Sequence, residues 1–305
     1  MLAVVGPTAS GKSSVAMRLA EQHGADILSC DSVQVYRGFA IGCAKPSQTE
    51  QERVRHHLID VVDWHEEFDA QRYCTLAMDV LARVHQSGRS AILCGGTGLY
   101  LRALRYGLID APERDLELRE RLYAEEKASP GVLYDRLQGL DPMSARRIEP
   151  KNLVHVVRAL EIHATTGELP SALRAKHGFN EERVPMRIVA IDWEREELRR
   201  RIAERVDAMI AQGLVDEVRG LQARGVPATC RPMRAVGYRE VCAMLAGAMT
   251  AAELPRRITQ ATWEYARRQY TWLRREKGVT WLKVDSDLSG IIEKIGDAWG
   301  HRTGP

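Results

Sequence analysis

Leu2-Ala3-Val4-Val5-Gly6-Pro7-Thr8-Ala9-Ser10-Gly11-Lys12-Ser13 is the stretch that decides how the rest of the chain is read. Four apolar residues give a short buried strand, and residues 12–23 continue as a helix. Between them, residues 6–13 fit G-x-x-x-x-G-K-[ST] in the strand–loop–helix context that the motif requires. Glycine lets the backbone come close to a ligand, and loop amides at a helix N-terminus cradle phosphate. Gly6, Pro7, Thr8, Ala9, Ser10, Gly11, Lys12 and Ser13 are therefore candidates to hold a polyphosphate. Lys12 would neutralise its terminal phosphate, and the Ser13 hydroxyl would ligate Mg²⁺. A glycine turn that binds nothing is the bland alternative, and the motif by itself does not say ATP.

Outward from this loop, the first 105 residues alternate strands and helices. Residues 26–30 and 90–94 read as further strands. Residues 70–86 read as a helix with Leu76, Val80, Leu81 and Val84 on one side. Such alternation predicts an α/β fold with a parallel sheet. Strand signals then stop. Helices are expected over 113–128, 130–139, 142–148 and 150–166, the last with Leu153, Val157, Leu160 and Ala164 in one stripe and Gly167 as its stop. Strand character returns over 186–191. Leu198, Ile202, Val206, Met209 and Ile210 then have helical spacing, and residues 279–284 form a last strand. The predicted architecture is a P-loop NTPase-like α/β core over 1–111 and 184–305, with a helical C-terminal part. An all-helical insertion domain occupies 112–183.

A chain of 305 residues holds one or two domains and buries enough surface to need no disulfide or metal staple. Its 45% hydrophobic and 28% charged residues exclude disorder. Lys plus Arg number 44 against 41 Asp plus Glu, a net charge of +3, so any nucleic-acid surface must come from where the cations sit. The six cysteines show no C-x-x-C spacing, which argues against structural zinc. No apolar run approaches 18 residues, so no membrane partner is expected. The chain starts directly on a strand-like segment. Together these features predict reduced thiols and a cytoplasmic location.

Other motifs point to the strand ends. Ala91 to Cys94 runs into Gly95-Gly96-Thr97-Gly98 instead of a Walker B acid, and Asp192 ends a strand far along the chain. Hydrolysis of a nucleoside triphosphate is thus poorly supported. Asp31 follows the second strand, where an open α/β sheet meets its ligand. It is a candidate base or metal holder, with a turn cap as the alternative. Thr97 stands in the equivalent place after the next strand, with a helix N-cap as its alternative. His56-His57 and Asp60 lack further ligands at metal spacing and read as structural. Five arginines fall between Arg195 and Arg205. Seven basic residues against two acids fall between Arg256 and Lys277, interleaved with Trp263, Tyr265, Tyr270 and Trp272. Such runs suit RNA phosphates and splayed bases, or simply a solvated helix face. Arg201 and Arg205 share a helix face and could reach a diphosphate together.

Taken together, these strings resemble the bacterial tRNA dimethylallyltransferases, also called tRNA isopentenyltransferases or IPP transferases. The likeness runs in order through residues 6–13, 31–38, 41–46, 56–60, 95–100, 158–161, 236–239 and 268–274. It implies transfer of a dimethylallyl group from dimethylallyl diphosphate to N6 of the adenosine just 3′ of the tRNA anticodon. It further implies Asp31 as general base, Thr97 as a substrate-positioning residue, Arg201 as a diphosphate contact and Mg²⁺ as cofactor. Contacts to the anticodon stem-loop are implied for Asp31, Ser32, Val33, Gln34, Thr97, Arg119, Arg158, Arg234, Gly237, Tyr238 and Arg239. A monomer is expected. The chain departs from the family pattern at Val154-His155-Val156, at Thr262-Trp263-Glu264-Tyr265 and at Cys43. Competing readings are a P-loop kinase of a small molecule, a prenylator of free adenine nucleotide and a non-catalytic RNA-binding protein. The insertion and basic tail argue against the second, and Asp31 with Thr97 against the third.

Overall fold

The computed structural model describes residues 1–109, 112, 114–179, 181–285 and 287–300. The chain forms two compact units, one of Met1–Arg105 with Val184–Pro305 and one of Tyr106–Arg183. The sequence reading set the insertion at 112–183.

The larger unit begins with β1 (Leu2–Val5), α1 (Lys12–His23), β2 (Asp26–Cys30), α2 (Gln48–Arg53), β3 (His56–His57), α3 (Ala70–Gln86), β4 (Ala91–Gly95) and α4 (Gly98–Tyr106). The smaller unit holds α5 (Leu116–Ala128), α6 (Val132–Leu140), α7 (Pro142–Ala145), α8 (Leu153–Thr166) and α9 (Pro170–His177). The larger unit resumes with β5 (Arg187–Asp192), α10 (Arg195–Ala211), α11 (Leu214–Ala223), α12 (Tyr238–Leu245), α13 (Leu254–Leu273), β6 (Val279–Lys283) and α14 (Ser289–Gly300).

Six strands make one sheet in the order β3-β2-β4-β1-β5-β6, every neighbouring pair parallel. β1, β2 and β4 are buried along their whole length, which is why their sequences run apolar without alternation. Because all strands are parallel, their C-terminal ends share one edge. The loops after β1, β2, β4 and β5 therefore meet there, and ligands of open α/β sheets bind at that edge.

The strand β3 was not foreseen. Two histidines give no apolar signal, yet Ile27 and Leu28 pair with His56 and His57 in parallel register. His57 is structural: its Nε2 lies 2.8 Å from buried Asp26, which Arg89 also contacts. Lys45 pairs with Asp60 in the same region.

The smaller unit has its own apolar core, built on Leu122, Leu133, Leu137, Val156, Val157 and Leu160. Helices α5, α7 and α8 are shorter than their sequence signals, and α9 was not foreseen. Helix α5 begins at Leu116 because the Asp115 side chain caps it through the Leu118 N–H; Glu113 lies outside the described residues. Helix α8 begins at Leu153, after Asn152, and stops at Gly167 in the left-handed region. Helix α7 is a single turn, capped by Asp141, and does not reach residue 148.

Candidate active site

The phosphate loop bends back on itself between β1 and α1. Ala9 and Gly11 both have positive φ, at 64° and 82°. Three distant residues hold this shape. The Gln269 Oε1 accepts the Thr8 N–H at 2.8 Å, while its Nε2 donates to the Gly96 carbonyl at 3.1 Å. Trp193 donates from Nε1 to the Ser10 carbonyl at 2.9 Å. Arg201 donates from Nε to the Ala9 carbonyl at 3.0 Å, its guanidinium 4.3 Å above the Trp193 ring. The Ser10 hydroxyl is buried with no hydrogen-bond partner among the described residues. Lys12 donates to the Pro7 carbonyl at 3.2 Å. Burial pushes the Lys12 ammonium down from its ordinary range, and nearby Arg205 adds to this, against the pull of Cys94 and Asp31.

Asp31 stands just past β2. Its Oδ1 accepts the N–H groups of Val33 and Gln34 at 2.8 and 3.2 Å, so the turn-cap reading is true of one oxygen. The carboxylate also lines a cavity of about 80 Å³ together with Lys12, Ser13, Arg205, Tyr265 and Gln269. Thr97 does not cap its own helix through the hydroxyl. Its Oγ1 accepts the Ser32 N–H at 3.1 Å, and its backbone N–H donates to the Cys30 carbonyl. Thr97 thereby ties the β4 loop to the Asp31 turn.

Arg205 is partly buried and forms no hydrogen bond or ion pair among the described residues. Burial lowers its pKa, while Asp31 and Cys43 draw it back up. A cation held this way, without a protein partner, waits for an anion. The thiols nearby are not nucleophiles. Burial pushes Cys30 and Cys43 up to about 12 and Cys94 to about 11, so all three stay protonated near neutrality.

Asp192 does not line the cavity that Lys12 and Ser13 line. Although β5 neighbours β1, its carboxylate accepts the Tyr270 hydroxyl at 3.0 Å and faces an open groove of about 760 Å³ beside Trp193 and Trp263. That groove is larger and carries its own charges, Arg195, Arg267, Arg274, Arg275 and Lys283 among them, but the small cavity is the one that joins the phosphate-loop residues Lys12 and Ser13 to Asp31. The small cavity is therefore the candidate active site.

An IPP transferase family model matches residues 34–276. The tRNA dimethylallyltransferase of Geobacter metallireducens is 46% identical over 271 residues, covering 88% of this chain and 87% of that one. The one from Sorangium cellulosum is 46% identical over 270 residues, covering 88% and 86%. The chain belongs to the IPP transferase family. Its fold agrees with solved members. The full-length tRNA isopentenylpyrophosphate transferase of Bacillus halodurans superposes with a TM-score of 0.73 at 35% identity, over 98% of this chain and 95% of that one. A eukaryotic dimethylallyltransferase crystallised acting on tRNA gives 0.78 at 27% identity, over 93% and 73%.

In this IPP transferase the residues expected to meet RNA differ in what they can offer. Arg234 and Arg239 are exposed, though Arg239 pairs with Glu240. Gly237 donates its N–H to Glu240 at 2.7 Å and starts α12. Tyr238 is fully buried, edge-on to Phe39 and bonded to Glu217, so it packs the segment and presents no surface. Gln34 is likewise engaged inside, accepting from Ser29 and donating to the Cys43 and Ala44 carbonyls. Ser32 and Val33 are half-buried in the Asp31 turn. Arg119 and Arg158 lie in the smaller unit, and both grip the fully buried Glu161, at 3.2 and 2.6 Å. The Arg119 guanidinium joins α5 to α8, while Arg158 pairs with Glu161 within α8 and donates to the Pro112 carbonyl. The sequence reading set out no role for Gln269 or Trp193. Each lies far from the phosphate loop in sequence, and no local pattern marks a residue that braces a loop from across the sheet edge.

Proposed function

We propose that this enzyme transfers a dimethylallyl group from dimethylallyl diphosphate to N6 of the adenosine 3′-adjacent to the anticodon in tRNA. The observation that carries this reading is the convergence of Lys12, Ser13, Arg205 and Asp31 on one cavity at the strand ends, with Asp192 lining a separate groove.

Diphosphate binds the amides of residues 9–13, Lys12, Arg201 and Arg205. An adenine amine is a poor nucleophile because its lone pair is delocalised into the ring. The free oxygen of Asp31 accepts a hydrogen bond from N6–H, while its other oxygen stays fixed to the turn amides. As the N6–C1 bond forms, the C1–O bond breaks and its electron pair leaves with diphosphate. The N6 proton passes to Asp31. The allylic carbon carries partial positive charge in this transition state, and the cations at the loop stabilise the charge that develops on the leaving group. Thr97 acts by fixing the Asp31 turn. The adenine must leave its stack to reach the cavity, at a cost of a few kcal/mol.

Mg²⁺ fits this site. Ser13 and Asp31 bring hard oxygen atoms to the cavity, and this ion keeps several waters and uses few protein ligands beside phosphate oxygens. The Ser13 hydroxyl and the diphosphate would hold it, where it would neutralise leaving-group charge. No cluster of three or more His, Cys, Asp or Glu groups that could cage a metal occurs among the described residues.

Incubating the protein with unmodified tRNA and dimethylallyl diphosphate, then analysing nucleosides by mass, tests the reading. A prenylated adenosine at the one predicted position is expected. Rapid ATP hydrolysis with no mass gain on tRNA would overturn it.

A further inference from the structure

Ile27 and Ser29 alternate along β2 and therefore share one of its faces, and Asp31 follows just past its end. All three line the cavity. The cavity thus runs along β2 from Asp31 at the strand end, past Ser29, to Ile27. Parallel register sets His56 of β3 beside Ile27, and His56 lines the cavity too.

Polarity changes along the cavity. Lys12, Ser13, Arg205 and Asp31 line the end beside the phosphate loop. Towards Ile27, the polar groups are matched within the chain. The Ser29 hydroxyl donates to Gln34 Oε1 at 2.8 Å, and the Gln34 amide donates to two carbonyls of the opposite wall. His56 Nδ1 lies 2.8 Å from the Val54 carbonyl, which can only accept, so Nδ1 carries the proton. Burial disfavours the imidazolium, leaving a neutral ring. The end towards Ile27 therefore offers no charge and suits a hydrocarbon. Ile27 and His56 both line this end of the cavity, so their side chains limit how far a tail can extend.

We infer that Ile27 and His56 form a floor that restricts the transferred prenyl group to five carbons. This rests on the reading that the phosphate loop holds a prenyl diphosphate. The bonds formed and broken are the same for a longer tail; only its fit changes.

The test compares kcat/KM for geranyl diphosphate and dimethylallyl diphosphate, with tRNA as acceptor. Wild type should strongly prefer the five-carbon donor. His56→Ala, Ile27→Ala and the double variant should raise the geranyl-to-dimethylallyl ratio, by about 10- to 200-fold for each step of pocket enlargement. KM for dimethylallyl diphosphate should rise and KM for tRNA should stay put. Ile27 is a core residue, so circular dichroism must confirm folding; should Ile27→Ala not fold, half-buried His56 decides alone. Wild type that uses geranyl diphosphate as readily would overturn the floor, as would folded variants that still transfer dimethylallyl with an unchanged ratio. A folded His56→Ala that has lost dimethylallyl transfer altogether would make His56 part of the chemistry instead. Wild type that transfers no prenyl group at all would sink the underlying reading rather than the floor.

Discussion

Burial keeps the Lys12 ammonium out of water and lowers its pKa in the free protein. A bound diphosphate favours the charged form and draws that pKa back up. Between the two values, binding must take up a proton, and affinity must weaken as pH rises. Calorimetric titration of dimethylallyl diphosphate at alkaline pH, in two buffers of different ionisation enthalpy, should therefore give different apparent heats. Identical heats would mean that Lys12 does not change protonation on binding. Gln269 invites a second test. Gln269→Leu leaves the Thr8 N–H buried without a partner, which should cost about 1–3 kcal/mol of stability in urea denaturation and raise KM for the diphosphate. Unchanged KM would show that the phosphate loop needs no brace. At this scale the sequence was partly legible. Lys12 and Ser13 open α1 after the phosphate loop and Asp31 follows β2 directly, and local pattern marks all three. Tyr238, Arg119 and Arg158 are marked by the family resemblance, which cannot tell an exposed side chain from one packed on Phe39 or held by Glu161. Gln269 and Trp193 act across more than 180 positions of sequence, and only packing reveals them.

The start of α4 packs on α13 with no room to spare. A Cβ on Gly98 would lie 1.4 Å from the Trp272 ring, and one on Gly96 would lie 2.2 Å from Gln269. The glycines of Gly95-Gly96-Thr97-Gly98 thus serve close packing that places Thr97, as well as any ligand approach. Gly98→Ala should force the two helices apart and destabilise by about 1–3 kcal/mol or more in thermal melts. Adding Trp272→Ala should recover part of that loss. A double variant no better than the single one would place the strain elsewhere. The apolar runs of β1, β2 and β4 announced a parallel sheet because both faces of those strands are covered. β3 gave no warning, since its pairing is backbone to backbone and its two side chains are polar. Helix ends in the smaller unit were set by capping side chains such as Asp115 and Asp141, which apolar spacing does not register.

The chain leaves the larger unit at Arg105 and returns at Val184, and the Val184 N–H donates to the Arg105 carbonyl at 3.2 Å. A short Gly/Ser linker can therefore replace residues 106–183 without straining the larger unit. The product should be soluble and bind dimethylallyl diphosphate as before, but lose most tRNA affinity in filter-binding assays. Full retention of tRNA affinity would remove the RNA role from the smaller unit. Among the described residues no helix is long and apolar enough to cross a membrane. The central claim is that this molecule brings an RNA adenine to a carboxylate beside a diphosphate. Single-turnover dimethylallyl transfer to tRNA by Asp31→Asn tests it most directly. The amide oxygen can still accept the turn N–H groups of Val33 and Gln34, so folding and tRNA binding should persist. The rate should fall by about 10²–10⁴-fold, because an amide cannot take the N6 proton. A near-normal single-turnover rate in that variant would contradict the account and leave Asp31 as a turn cap.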